Sequence, residues 1–449
     1  MARSSALLVL LLVSAPVRAF AQGTLTLDQA VAGALAQNRS LAAARSSIQQ
    51  AGAQVTDARA GLFPRITVSE SWQRGDEPVF VFSSLLSSRR FAAANFAIDA
   101  LNHPDPVGFF RTSIGVEQML YDGGRTRSGV DTASIGREIA SLRTEEAAME
   151  VAFSVVDTFG RALSAQAARR ASDAGVESAR EDLLRAERRR DAGMATEADV
   201  LSLRVHLADL QQRAIQASGD TAVARAELNH LMGAPIDRDY EVVEPVLLPI
   251  GEASPDDLPV RATDALASHP TMKRSDAETR LADAVRSQAR AGFIPQVAVQ
   301  SAFDLSGTTI GDRASSWIVG GELRWTLSTG GAEQARLRAA AEAASRARIE
   351  REDARARIEV EVVSAVRRLE AARAREAIGA AAVEEARESQ RIIRDRFEAG
   401  LAGTDQLLRA STSVLEADAR RTAALVDRIV SQAMVDKASG RVPTLRGSS

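Results

Sequence analysis

The chain has 449 residues, 45% of them hydrophobic and only 4% aromatic. Its 56 basic and 59 acidic residues are interspersed and leave a formal net charge of −3, which excludes the one-faced basic footprint of a nucleic-acid binder. Cysteine is absent, which excludes disulfides, thiolate zinc sites and cysteine nucleophiles.

Residues 1–21 read as a signal peptide: Arg3 supplies the positive charge, Leu7 to Val13 a short apolar core, and Ala19-Phe20-Ala21 a small-residue cleavage site. No cysteine follows that would carry a lipid anchor, so the mature chain is expected to begin near Gln22. Beyond it no apolar run reaches the roughly 20 residues of a membrane helix. The exported product is then either soluble or crosses a membrane as β-strands.

A first repeat is expected over 22–233. Its helix, 22–62, halts at Gly61-Leu-Phe-Pro64, and a strand follows over 64–74 in which Ile66, Val68 and Trp72 alternate with Arg65, Thr67, Ser69 and Ser71. A second strand, 109–121, carries Ile114, Val116 and Leu120 on one face. Between the strands, residues 75–108 form an insertion. Long helices follow over 124–192 and 196–233. In the first, Ile135, Ile139, Leu142, Met149, Phe153, Val156 and Leu163 fall on a 4-3-4-3 ladder, with Glu146 and Gly160 in its gaps, a seam for helices packing along their length. No proline interrupts Arg125 to Arg190, roughly 100 Å of helix. At the far end Gly193 suits the left-handed C′ position. Thr196, or Thr404 in the later copy, can cap the next helix, with Asp199 or Asp405 in its first turn.

A linker, 234–262, leads to a second repeat over 263–440: helix 263–292, strands 295–305 and 316–328, long helices 332–398 and 404–438, with a tail at 441–449. "GFIPQVAVQ" at 292–300 copies "GLFPRITVS" at 61–69, and Glu398-Ala-Gly400 copies Asp191-Ala-Gly193. Val297, Val299 and Phe303 oppose Gln296, Gln300 and Asp304; Trp317, Val319, Leu323 and Trp325 oppose Glu322 and Arg324. The Asp122-Gly-Gly and Thr329-Gly-Gly turns hand a strand over to a helix. Duplication of a whole half-protein explains the pattern. An apolar face opposite a polar one fits a membrane barrel and a soluble half-buried sheet equally. Strand lengths near the 9–11 residues that span a bilayer favour the barrel. Four strands do not close one; eight from two copies fill their interior, and twelve from three leave a lumen.

No catalytic constellation emerges. His103, His206, His230 and His269 lack metal spacing, carboxylates interleave with arginines as in Glu350-Arg-Glu-Asp-Ala-Arg355, and no phosphate-cradling loop is present. The chain reads as no enzyme, with no cofactor and no metal.

The ordered motifs "GLFPRITV", "LYDGGR", "RRRDAGMATEADVL", "GFIPQVAV", "LSTGGAEQARL" and "RFEAGLAGTDQLL" cover about residues 24–440. Together they resemble the outer membrane efflux protein family, the TolC-like conduits. The resemblance implies a mainly α fold with a small membrane β part: long antiparallel coiled-coil helices forming an α-barrel, and four strands per protomer contributing to a trimeric twelve-strand β-barrel. It implies a homotrimer in the outer membrane with its helical part in the periplasm, a periplasmic adaptor (membrane-fusion) protein and an inner-membrane pump as partners, and passive conduction. Residues 75–108 become an enlarged extracellular loop, and 234–262 with the tail pack round the tunnel's equator. Lipid faces Ile66, Val68, Trp72, Val297, Val299, Phe303, Trp317, Val319, Leu323 and Trp325. The adaptor-docking and gate tip holds Gly193, Met194, Thr196, Asp199, Gly400, Leu401, Thr404, Asp405 and Arg409. Some members constrict the pore with aspartates one and four positions beyond Asp405; here Gln406 and Arg409 stand there, so an acidic ring does not carry over. Two other readings stay open: the outlet of a type I protein secretion system, on the same fold, and a non-channel trimeric coiled-coil surface protein.

Overall fold

The computed structural model describes residues 23–246 and 258–443, so the expected signal peptide lies outside the described residues, as do parts of the linker and tail. A short strand β1 (Thr24–Leu25) precedes α1 (Leu27–Gln37), which opens on a capping box: Thr26 Oγ1 accepts from the Gln29 backbone at 3.3 Å and Gln29 Oε1 from the Thr26 backbone at 3.1 Å. The helix expected over 22–62 is in fact two, because Asn38 interrupts it. Its side-chain oxygen accepts from the Ser40 and Leu41 backbones and starts α2 (Arg39–Ala60). The equivalent position in the second half is His269, whose Nδ1 accepts from Thr271 N at 3.1 Å.

Strands β2 (Arg65–Gly75) and β3 (Val107–Tyr121) pair antiparallel around the insertion, which holds α3 (Pro78–Ser87), a 3-10 turn (Ala93–Phe96) and α4 (Ile98–Asn102). Gly123 and Gly124 then take φ of +69° and +86°, and Asp122 bonds the backbones of Gly124 and Thr126 to start α5 (Arg125–Asp191). α6 (Glu197–Leu231) returns antiparallel, and β4 (Glu241–Val242) pairs with β1. The second half supplies α7 (Leu258–Ser268), α8 (Pro270–Arg290), β5 (Gln296–Gly307), β6 (Ala314–Arg324), α9 (Ala332–Glu398) and α10 (Thr404–Ala438). β6 ends four residues before the expected 328, because Trp325 leaves the ladder and its indole donates to Phe293 O at 3.3 Å.

The 67-residue helices α5 and α9 run the length of the molecule. On the side of the sheet the helix order is α2–α5–α8–α9; on the side of the tips it is α6–α5–α10–α9. The main core sits where the two sets meet: Phe159, Val155 and Val156 of α5 pack with Ala30 and Ala34 of α1, Leu228 of α6, Tyr240, and Ile429 of α10. Desolvation in that core pushes the Tyr240 hydroxyl up to about 12. Ile139, Leu142, Met149, Val156 and Leu163 of the ladder are buried; Ile135 and Phe153 lie half-buried beside them.

The expected fold needs correction. The four long strands form one open sheet, ordered β2-β3-β5-β6, whose outer strands β2 and β6 each have a single neighbour. No β-barrel closes among the described residues, and the helices form an open series, ending at α2 and α9 on the sheet side and at α6 and α9 on the tip side, instead of a closed α-barrel. Four strands with ordinary twist do not curl far enough to meet edge to edge. Among the described residues no helix is long and apolar enough to cross a membrane. The chain is mainly helical with one antiparallel sheet.

Register gives that sheet two chemically distinct faces. Ile66 pairs with Val116, Val68 with Ile114, Ile114 with Phe303 and Phe303 with Trp317, so the apolar side chains share a face. Arg65, Ser69, Gln73, Arg111, Asp304, Gln300 and Glu322 share the other, where Arg111 and Asp304 pair at 2.6 Å.

Candidate functional site

The turns between α5 and α6 and between α9 and α10 repeat one geometry. Gly193 (φ +73°) and Gly400 (φ +75°) each occupy C′ in the left-handed region. Met194 N bonds Arg189 O and Gly193 N bonds Arg190 O, both at 2.8 Å; Leu401 N bonds Arg396 O at 2.8 Å and Gly400 N bonds Phe397 O at 3.0 Å. These paired bonds are the Schellman arrangement, which satisfies the last carbonyls of each helix. Met194 and Leu401 follow at equivalent positions and are 65% and 70% exposed.

The starts of the next helices differ. Thr196 caps α6 as expected: Asp199 N bonds its hydroxyl at 3.2 Å, and Asp199 Oδ2 accepts from the Thr196 backbone at 3.0 Å and hydroxyl at 2.7 Å. In α10 the cap is Gly403, not Thr404. Thr404, one residue inside the helix and buried, sends its hydroxyl to Asp199 Oδ1 at 2.9 Å. Asp405 stays on the surface and pairs with Arg409 at 3.2 Å, both side chains well exposed.

The two hairpins are further joined by residues that sequence reasoning missed. Arg189 of α5 lies 5.0 Å from the Phe397 ring centroid and bonds the Phe397 carbonyl. Two turns back along α5, Asp182 is 5% exposed, pairs with Arg185 at 3.0 Å and faces Arg394 of α9 at 3.9 Å. Arg394 also donates to Ser178 Oγ at 2.9 Å. Below them Ala186, Val200 and Leu203 form a small apolar core with Leu408. Thr196 and Thr404 bonds hold the Asp199 carboxyl below the usual carboxylate range. Burial pushes Asp182 up, against the pull of Arg394 and Arg185.

All nine tip residues named from the sequence thus fall on two adjacent turns or on the opening turns of α6 and α10. The apolar residues Ile66, Val68, Trp72, Val297, Val299, Phe303, Trp317, Val319 and Leu323 occupy one face of the sheet, with Trp325 just beyond β6. They sit at the other end of α5 from the tips, about 100 Å of helix away. The molecule thus has two ends on a long frame, each with its own surface chemistry.

The outer membrane efflux protein family model matches residues 30–234 and 262–441. The chain belongs to the outer membrane efflux protein family. It is an outer-membrane efflux protein, a passive conduit and not an enzyme, and its place is the outer membrane. Among solved structures it is similar to a membrane protein of Pseudomonas aeruginosa (20% identity, TM-score 0.77, covering 92% of this chain and 90% of that one). It is also similar to the Campylobacter jejuni CmeC outer membrane channel (17%, 0.78, 92% and 85%). A third likeness is to the open state of the Neisseria gonorrhoeae MtrE outer membrane channel (17%, 0.74, 94% and 91%). At these identities the likeness is one of fold. No curated protein matches the chain by sequence.

Proposed function

We propose that this efflux protein acts as a homotrimer whose tips form the periplasmic entrance, where a periplasmic adaptor coupled to an inner-membrane pump docks. The observation that carries the reading is the twin turn: Met194 and Leu401 stand exposed after left-handed glycines on adjacent hairpins. Exposed apolar side chains on a rigid turn are a contact surface for a partner. Gly193, Thr196 and Asp199, with Gly400, Thr404, Asp405 and Arg409, shape that surface and hold the hairpins together until a partner favours the splayed state.

Self-association is supported by the two helices at the ends of the series. On the tip side α6 leaves Leu201, Val205, Ile215 and Val223 exposed, and α9 leaves Ile378 and Ile392 exposed. An α9 stripe that packs on the α6 stripe of the next copy makes a head-to-tail contact, which closes as a ring. The apolar face from Ile66 to Trp325 then meets outer-membrane lipid, and the polar face of the sheet lines the water path.

The test replaces Met194 and Leu401 together with aspartate in cells that depend on the native efflux operon. Lost efflux with unchanged oligomer and outer-membrane yield supports docking at the tips. Undiminished efflux removes them from the partner contact.

A further inference from the structure

β2 and β3 need almost nothing between them. Gly75 pairs directly with Val107, and a two-residue turn closes a hairpin of that kind. The chain instead inserts residues 76–106, with Phe80, Phe82, Phe91 and Phe96 among them. This insert is not an open loop. Phe91 packs edge-on against Phe82 at 4.7 Å and Phe96 at 5.0 Å between centroids, an aromatic cluster within the insert whose outer member, Phe96, is exposed.

α3 lies across the polar face of the sheet, at the end away from the long helices. Near its start Phe80 meets Phe109 edge-on at 6.3 Å and stands 3.7 Å from where a Cβ on Gly75 would be. Gly75 and Phe109 both belong to the polar face, by alternation from Gln73 and Arg111. The helix packs on β3 and β5, with Val81 and Ser84 buried on its side and Asp304 and Ser306 buried on theirs. At its far end Arg89 donates to Ser315 O at 3.0 Å, and Arg90 pairs with Asp312 at 3.4 Å and bonds the Thr308 hydroxyl. The helix and its tethers therefore reach from β2 to β6.

Backbone geometry points the same way. Arg89 is the one non-glycine with positive φ (+56°) among the described residues. Arg89 N bonds Leu86 O and Arg90 N bonds Leu85 O, so Arg89 fills the C′ position where glycine is the low-strain choice. Glycine there would relieve the backbone and lose the bond to Ser315; the strained residue is kept together with its tether. Val79 and Leu86 remain 73% and 50% exposed, so the free side of the helix is apolar.

We propose that α3 is a crossbar that narrows the outer mouth of the conduit and selects what leaves it. It passes small solutes and holds back bulky ones, and its apolar free side favours amphipathic or apolar solutes among those near the size limit. The inference rests on the reading that the polar face lines the water path. Nearer the helices than α3, that face holds a cavity lined by Arg65, Glu117, Gln300 and Glu322.

The cysteine-free chain permits a clean test with Gln300→Cys in intact cells. Three versions are compared: the native insert, Arg89→Ala/Arg90→Ala, and a variant in which residues 76–106 are replaced by Asn-Gly. A small charged thiosulfonate added outside is expected to label the thiol in all three, which shows that each is folded and water-filled. A bulky poly(ethylene glycol)-maleimide is expected to label the Asn-Gly version roughly tenfold faster than the native one, with the arginine variant between them. Equal labelling of all three by the bulky reagent overturns the crossbar. No labelling by the small reagent in any version overturns the water-path reading, and the crossbar with it.

Discussion

The Thr404 hydroxyl donates to Asp199 Oδ1 at 2.9 Å, so a buried residue of α10 is tied to the carboxylate that completes the cap of α6. One carboxylate thereby serves both hairpins: Oδ2 closes the box with Thr196, and Oδ1 holds the neighbour. Thr404→Val keeps the volume and removes only the second bond. The expected cost to the joined tips is about 0.5–1.5 kcal/mol, a roughly two- to tenfold rise in open fraction if splaying is two-state. Single-channel recording in planar bilayers reads this directly. Asp199→Ala is expected to open the channel further, because it also removes a cap worth about 1 kcal/mol. An unchanged open probability in both variants would take the pair out of the gate.

The two tip carboxyls predict opposite responses to acid. Asp199 has its folded pKa depressed, so its stabilisation is present above the unfolded value and is lost as pH falls through the folded one. Asp182 has its folded pKa raised by burial. Its ionised form costs stability at neutral pH, and that cost is relieved as pH falls through the raised value towards the ordinary one. Asp182→Asn is therefore expected to raise the thermal midpoint at pH 7. It should also abolish the part of the acid-side gain that lies between the ordinary and raised values. A midpoint lowered at neutral pH would mean that the attraction to Arg394 and Arg185 outweighs desolvation.

The frame and the turns were legible in the sequence because their causes are local. Gly193 and Gly400 mark left-handed caps, Asp122-Gly-Gly starts a helix, and period-two alternation separates the faces of the sheet. Thr404 was misread because its neighbour Gly403 takes the cap position, three residues after Gly400 as Thr196 is three after Gly193. The threonine is left one residue further on, free to bond across. Asp182 and Arg394 were invisible because their pairing depends on how two hairpins dock, which no local pattern encodes. The barrels overreached for a related reason: alternation fixes which face is apolar, and closure depends on edges that one chain does not join. The insertion around Phe80 and Phe91 was located by its length, yet its fold over the polar face comes from Phe80 meeting Phe109 of β3 and from Arg89 and Arg90 reaching Ser315 and Asp312.

Asp405 and Arg409 make the clean probe of charge at the tip. Their 3.2 Å contact is an exposed i,i+4 pair, and such pairs contribute about 0.3–0.5 kcal/mol. Asp405→Ala and Arg409→Ala are expected to leave thermal stability nearly unchanged while shifting closed-state conductance or ion preference in bilayers. If neither variant changes either quantity, the pair is solvated surface and has no part in the gate.

The long frame can be tested at Gly160, where the ladder of α5 has a gap. Gly160 is buried, and a Cβ placed there would stand 2.6 Å from Cγ1 of Val426 on α10. The gap therefore sets how closely α5 and α10 approach. In an isolated helix Gly160→Ala would gain about 1 kcal/mol from propensity; here overpacking of about 1–3 kcal/mol opposes it, so a lower thermal midpoint is expected. Val426→Ala alone should also destabilise, by leaving unfilled space. Combined, the alanine at 160 occupies room that Val426 vacates, and the double variant should be more stable than the sum of the singles by at least about 0.5 kcal/mol. Strict additivity would mean that α10 shifts to accommodate the added methyl, and that the glycine is not what fixes the spacing of the two helices.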